Sequence, residues 1–305
     1  MPRSLSRLLF AGLHRCVVGI GLLLPLVSTA QEPGLVGQYL GAVARTAEIP
    51  VWTNSHLGAR LELTAQASGN FSGKLIYSGT TLSFTGTIDR ADSGSGTSSV
   101  RIPRGSLPAL TLDLSFGEDL VSGSLSHPDG ETVNVSGWRK VWNNSSRPAT
   151  AFLGRHHFHL RTDLSEVGEG FGSFTVPADG DITVNGKLPD GNDFKTTGFV
   201  GPNGQVLVYD ILHSKPGSLL GVMAIATSID EIPSTLGTSD FGMTWFKPMQ
   251  TAKAERFYRE GFNTNCQISG GLYKAPVSGD VAAGLQHVIS NGYLFFSGIA
   301  ENSET

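Results

Sequence analysis

The sequence predicts an all-β fold of two tandem, related, glycine-kinked antiparallel barrels. Three observations predict it: strict two-residue alternation, turn dipeptides between the alternating runs, and a hairpin spelled twice about 112 positions apart. In TTLSFTGTI, Leu82, Phe84, Gly86 and Ile88 share one face, and Thr81, Ser83, Thr85 and Thr87 share the other. ALTLDLSF alternates Leu110, Leu112, Leu114 and Phe116 against Thr111, Asp113 and Ser115, and GNFSGKLIY sets Phe71, Gly73, Leu75 and Tyr77 against Ser72 and Lys74. Such alternation marks antiparallel strands with one buried and one wet face. Ser78-Gly79, Asp190-Gly191, Pro202-Asn203-Gly204 and Asn291-Gly292 supply the turns. The best helical stretch, TAKAERFYREGF at 251–262, is short.

The repetition is the stronger signal. Gly73-Lys74-Leu75 returns as Gly186-Lys187-Leu188, while Gly79 and Gly86 return as Gly191 and Gly198. Gly37-Gln38-Tyr39 opens the first copy and Gly154-Arg155-His156 the second, and each closes near a tryptophan, Trp138 and Trp245. A period this long indicates duplicated domains, not a short-period solenoid. The expected division is a leader at 1–30, a first barrel at 31–147 and a second at 148–250. Residues 251–305 are then a partial third repeat or closing strands, since Gly271-Leu272-Tyr273 echoes the opening. Gly73, Gly86 and Gly186 fall on the apolar faces of their strands, where glycine weakens a flat strand but lets a sheet bend under a neighbouring aromatic. Inward glycines therefore favour coiled, barrel-like sheets; a β-sandwich is the alternative.

The first thirty residues read as a secretory signal peptide. Arg3, Arg7 and Arg15 precede the apolar run CVVGIGLLLPLV, and Ser28-Thr29-Ala30 offers small residues for cleavage before Gln31. The run is too short, and too interrupted by Gly19, Gly21 and Pro25, for a membrane span of roughly 20 residues. The expected location is secreted or extracytoplasmic, in the periplasm or at a cell surface, with no transmembrane segment in the mature chain. Loss of the three arginines lowers Lys plus Arg from 22 to 19 against 26 acids, a net charge of −7. That balance disfavours nucleic acid as a partner. Cys16 leaves with the leader, so Cys266 is alone and forms no intrachain disulfide. A cell-surface or extracellular partner is the expectation, and no cofactor is implied.

Gly-x-Tyr-x-Gly at Gly37, Tyr39 and Gly41, GNFSGKL at 69–75 and Phe-x-Gly-Thr at 84–87 resemble a glycine-rich repeated β-module. That module belongs to large exported proteins of Verrucomicrobia-like bacteria. The resemblance implies a repeated surface architecture and no established activity, so it carries no catalytic residue across.

The sharpest chemical pattern is Arg155-His156-His157-Phe158-His159. In a strand His157 and His159 share a face, and two imidazoles so spaced can ligate a metal if a third ligand joins them. Asp163, His213 and His127 are the available third ligands, and an ordinary half-exposed strand is the plainer reading. Asp179/Asp181 and Asp190/Asp193 could offer oxygens to Ca²⁺, but turn tips favour Asp for geometry alone. Glu118/Asp119 and Asp129/Glu131 could serve as glycosidase carboxylates only at separations of roughly 5–10 Å. GEGFGS at 168–173 lacks the spacing and lysine of a phosphate loop. Trp138 and Trp245 could stack on a sugar, or pack inside the fold.

These readings point first to a non-enzymatic, extracytoplasmic module for cell-surface structure, adhesion or display. A small-ligand or glycan-binding barrel is the alternative. It needs a cavity with convergent polar groups, which interiors filled by Phe71, Phe84 and Leu112 would exclude. A secreted hydrolase is the second alternative.

Overall fold

The computed structural model describes residues 35–45 and 58–274, apart from short breaks at 78, 92–93, 118, 129, 165–166, 214–216, 228–233 and 250–257. The leader at 1–30, Trp52 and Asn291-Gly292 lie outside the described residues. Nine strands make the first sheet: β1 (Gly37–Val43), β2 (Ala59–Ala65), β3 (Asn70–Tyr77), β4 (Thr80–Thr87), β5 (Asp89–Arg90), β6 (Gly96–Arg104), β7 (Leu107–Gly117), β8 (Leu120–Ser126) and β9 (Thr132–Arg139). Eight make the second: β10 (Gly154–Thr162), β11 (Gly170–Val176), β12 (Asp181–Lys187), β13 (Asp193–Phe199), β14 (Gln205–Leu212), β15 (Gly217–Ala226), β16 (Thr235–Lys247) and β17 (Phe262–Leu272).

Both sheets are antiparallel meanders whose first and last strands pair. The first runs 4-3-2-1-9-8-7-6-5 and the second 13-12-11-10-17-16-15-14. Tyr39 lies opposite Arg139 where β1 meets β9, and His156 opposite Leu272 where β10 meets β17. Each sheet curls until its free edges meet, β4 beside β6 and β13 beside β14. The result is two nearly closed barrels instead of a sandwich. Residues 262–272, which the sequence places in a partial repeat or closing strands, form the last strand of the second barrel. Phe262, the end of the short helical stretch, heads that strand, and 251–257 lie outside the described residues.

The two hairpins whose glycines fall in step in the sequence are β3–β4 and β12–β13, the third and fourth strands of each barrel. Gly73 lies opposite Phe84, and Gly186 opposite Phe194. A β-carbon on either glycine would overlap the facing ring, so the aromatic covers bare backbone. Phe71 covers Gly86 and Phe158 covers Gly172 in the same way. The hairpin turns use Gly79 at φ 70° and Gly191 at φ 86°, in the left-handed region where a side chain is strained.

The seams are built differently. In the second barrel Thr196 Oγ1 donates to the Tyr209 carbonyl and accepts from the Tyr209 amide, both at 3.0 Å. Beside it, the Lys195 amide donates to Asp210 Oδ2 at 2.8 Å. Side chains thus bridge two strands that share no backbone ladder. Burial raises the Asp210 carboxyl above its usual range, opposed by the Lys195 and Ile211 amides. Along β4 and β6 no such bridge occurs among the described residues.

A third apolar cluster joins the barrels. Leu40, Ala42 and Trp138, on the outer faces of β1 and β9, pack against Phe199, Leu207, Tyr209, Leu220 and Val222. Strands β14 and β15 therefore bury both faces: Val208, Leu219 and Met223 fill the second barrel, while Leu207, Leu220 and Val222 meet the first. Double burial explains why QVLVYDIL and GSLLGVMAIA read as nearly continuous apolar runs. Polar contacts border the cluster, among them Arg60 Nη1 to the Thr197 carbonyl at 2.5 Å and Trp138 Nε1 to the Phe199 carbonyl at 3.2 Å. The connection at 140–153 is tied down as well. Lys140 pairs with Asp181 at 2.5 Å, Trp142 Nε1 donates to the Gly201 carbonyl at 3.3 Å, and a single 3₁₀ turn, Thr150–Phe152, leads into β10.

Candidate functional site

Strand parity places the histidines as the sequence predicts, but the surroundings give them other partners. His157 and His159 lie on the outer face of β10. His157 packs against the Tyr273 ring at 5.0 Å, and His159 Nδ1 lies 3.4 Å from Glu169 Oε2. His127 is buried near Tyr77 in the first barrel, while His213 lies beside Asp190. Among the described residues, no three of His, Cys, Asp and Glu gather as a metal would require.

His156 points inward from the same strand, into the place Tyr39 holds in the first barrel. Its ring stacks on Phe174 at 5.1 Å, and Nδ1 lies 3.2 Å from the Gly154 carbonyl, which can only accept. The proton therefore sits on Nδ1, and the buried Nε2 has no hydrogen-bond partner. Burial lowers the His156 pKa, because charging Nε2 would add a donor with nothing to receive it.

The acid pairs serve the scaffold. Asp179 Oδ1 accepts the Asp181 amide at 3.1 Å, and Asp190 Oδ1 accepts the Asn192 amide at 3.1 Å. The other Asp190 oxygen takes Lys247 Nζ at 2.7 Å, with His213 Nε2 at 3.7 Å, all three side chains fully buried. Lysine thus holds the oxygen a Ca²⁺ ion would need. Asp193 pairs with Lys187 at 2.7 Å. Asp119 sits at φ 66° and binds Arg139 through Nε at 2.8 Å, with Arg147 at 3.5 Å; Glu118 and Asp129 lie outside the described residues. GEGFGS runs into β11, a strand.

Neither tryptophan offers a free face. Trp138 is buried between the barrels, and Trp245 is buried inside the second, edge-on to Phe262 at 4.7 Å. They also occupy different strands, β9 closing its barrel and β16 next to last. The first interior is filled: Phe71 meets Phe84 and Phe116, Phe116 meets Tyr39 at 5.4 Å, and Leu112 is fully buried. Phe158, Phe174 and Phe194 pack likewise inside the second.

The site that sequence reasoning missed lies outside the first barrel, where β4 approaches β6. A groove of about 610 Å³ crosses β2, β3, β4 and β6. Gly73 and Phe84 line its base, and the exposed hydroxyls of Thr64, Ser72, Ser83 and Thr85 face into it. Lys74 and Arg101 add two exposed cations that form no ion pair among the described residues; Glu62, opposite Lys74 across β2 and β3, is held by Arg60 at 2.8 Å. In a chain with more acids than bases, this concentrates free positive charge beside hydroxyls. Such a surface can bind a hydroxylated, negatively charged chain by charge-assisted and neutral hydrogen bonds. The only sequence signal was the wet face of the alternation, Lys74 among Ser and Thr, which reads as ordinary solvation.

No protein-family model and no curated protein matches the chain. Among solved structures it is similar to a protein of unknown function of the DUF3598 family from Nostoc punctiforme, at 8% identity and a TM-score of 0.22, covering 78% of this chain and 96% of that one. The functional reading accordingly rests on this chain's own residues.

Proposed function

We propose that the protein is an exported, non-enzymatic module that works at the cell surface in adhesion, and that it holds an acidic glycan in the groove of its first barrel. The observation that carries this reading is the pair of cations, Lys74 and Arg101, that no acid pairs among the described residues, set among the hydroxyls of Thr64, Ser72, Ser83 and Thr85. Packed aromatic interiors support recognition on the outside of the barrels. The leader-like first thirty residues support export, and the excess of acids over bases in the chain makes the groove's cations a favourable place for an acidic partner. The second barrel braces the first through the apolar cluster around Trp138.

Affinity electrophoresis tests the reading. Purified protein is run in gels containing polygalacturonate, alginate or neutral dextran. Retardation by the two acidic polymers and not by dextran is expected, weakening as salt rises, because exposed charges are screened within about 10 Å at 0.1 M. The double variant Lys74→Glu, Arg101→Glu should migrate as if the acidic polymers were absent. Equal mobility in all gels, or undiminished retardation of the variant, contradicts the proposal.

A further inference from the structure

Arg45 follows β1 on the first barrel, and its side chain crosses to the second. Nε donates to Thr244 Oγ1 at 2.7 Å, and Nη2 donates to the carbonyls of Ser218 at 2.7 Å and Thr244 at 3.1 Å. Nη1 is buried and meets no hydrogen-bond acceptor among the described residues. The three acceptors are neutral. The ionisable groups that act on Arg45 most strongly are Tyr209 and Cys266, and the Cys266 thiol is itself pushed up to about 12 by burial. Burial pulls the Arg45 pKa down to about 10, so the group remains a cation at neutral pH. Among the described residues Arg45 meets no counter-ion, only the face of the Phe246 ring at 6.0 Å, and a desolvated cation with unmade hydrogen bonds is costly unless a partner supplies charge and acceptor.

Space for that partner lies beside it. The pairing of β16 with β17 breaks between Gly237 and Thr244, and its pairing with β15 shifts between Gly221 and Met223. Irregularities of this kind recur next to binding sites because they re-aim side chains and part the strands. A cavity of about 330 Å³ opens at this irregularity, lined by Arg45, Leu220, Phe241, Met243, Asn263 and Asn265. The two asparagines lie on the exposed face of β17; Leu220 is buried in the cluster between the barrels, with Phe241 packed against it, and Met243 turns into the second barrel's core. Asp240, the acid on the same irregular segment, lines the neighbouring cavity with Trp138 instead.

We infer that this cavity binds a small organic monocarboxylate. Its carboxylate accepts from Arg45 Nη1 and from an asparagine amide at the mouth, and its apolar portion lies against Leu220 and Phe241. One negative charge matches one uncompensated cation, and the apolar wall selects an organic acid over a bare inorganic anion. This site is separate from the groove of the first barrel and draws on none of its residues.

Calorimetric titration of the purified protein tests the inference, with benzoate as probe, benzyl alcohol as its neutral counterpart and inorganic phosphate as a bare anion. Saturable benzoate binding in the millimolar range or tighter is expected, with benzyl alcohol and phosphate at least about tenfold weaker. Arg45→Gln should abolish benzoate binding. Because that change also removes the bonds to Ser218 and Thr244, a second variant, Asn265→Asp, leaves those bonds in place and puts a carboxylate at the exposed mouth. It should weaken benzoate by about tenfold or more. Absence of benzoate binding, benzyl alcohol or phosphate bound as tightly as benzoate, or undiminished binding by Asn265→Asp overturns the inference.

Discussion

Thr196 joins Tyr209 through one hydroxyl that both donates and accepts, at 3.0 Å in each direction. It replaces two rungs of a missing backbone ladder and, with Asp210, closes the second barrel, whereas no side chain bridges β4 and β6 of the first among the described residues.

Thr196→Val keeps the shape and removes both bonds, leaving a buried amide and carbonyl of Tyr209 without this partner. The expected loss is about 2 kcal/mol or more in urea unfolding, because each buried group left unsatisfied costs roughly 1–3 kcal/mol. Thr196→Ser should lose far less. A neutral Thr196→Val would show that the seam is closed by packing alone.

The glycines of the repeated hairpins are places where aromatic rings lie on backbone. Gly73→Ala and Gly186→Ala should each destabilise by roughly 1–3 kcal/mol, as overpacked cores do, since Phe84 or Phe194 must move. Gly105→Ala provides the contrast: nothing stands near its β-carbon, so its cost is limited to backbone strain at φ 63°. Melting temperatures of the three variants check this ordering.

The burial of His156 implies a pH dependence whose sign follows from the lowered pKa. Its folded pKa is lowered from the ordinary 6.5 by burial. The unfolded chain therefore binds the proton first, and the stability that neutral His156 contributes is complete above about 6.5. That stability is lost as pH falls from there through the lowered folded value. Urea midpoints should drop with acid in the native protein, and His156→Phe should flatten that part of the curve. An unchanged pH profile in the variant would assign the titration elsewhere.

Cys266 is buried with its thiol pushed up to about 12, so almost no thiolate exists near neutral pH. In protein beginning at Gln31, native samples should resist maleimide and take up one label per chain only when unfolded. Rapid labelling of the folded protein would contradict the burial.

Strands β3, β4 and β7 were legible because their alternation is complete and one face is wet. The barrel was legible from inward glycines such as Gly73 and Gly186, which would be defects in a flat sheet. Strands β14 and β15 gave no alternation because both of their faces are buried, one by each barrel. The parity of His157 and His159 was readable, but not that Tyr273 and Glu169 are their neighbours. Trp138 and Trp245 looked equivalent from their distance to the copy ends, yet one seals the contact between barrels and the other plugs an interior. Arg45 was silent because its partners Ser218 and Thr244 lie 173 and 199 positions away. Only the folded chain brings those groups together.

The central claim is that recognition occurs on the outer groove of the first barrel, with the repeated hairpins as scaffold. Amide chemical-shift mapping of isotope-labelled protein titrated with oligogalacturonate tests it most directly. The account predicts shifts confined to residues around 62–64, 72–74, 83–85 and 101–103, lost in the Lys74→Glu, Arg101→Glu variant. Shifts confined to the second barrel, or none at saturating oligosaccharide, would contradict it.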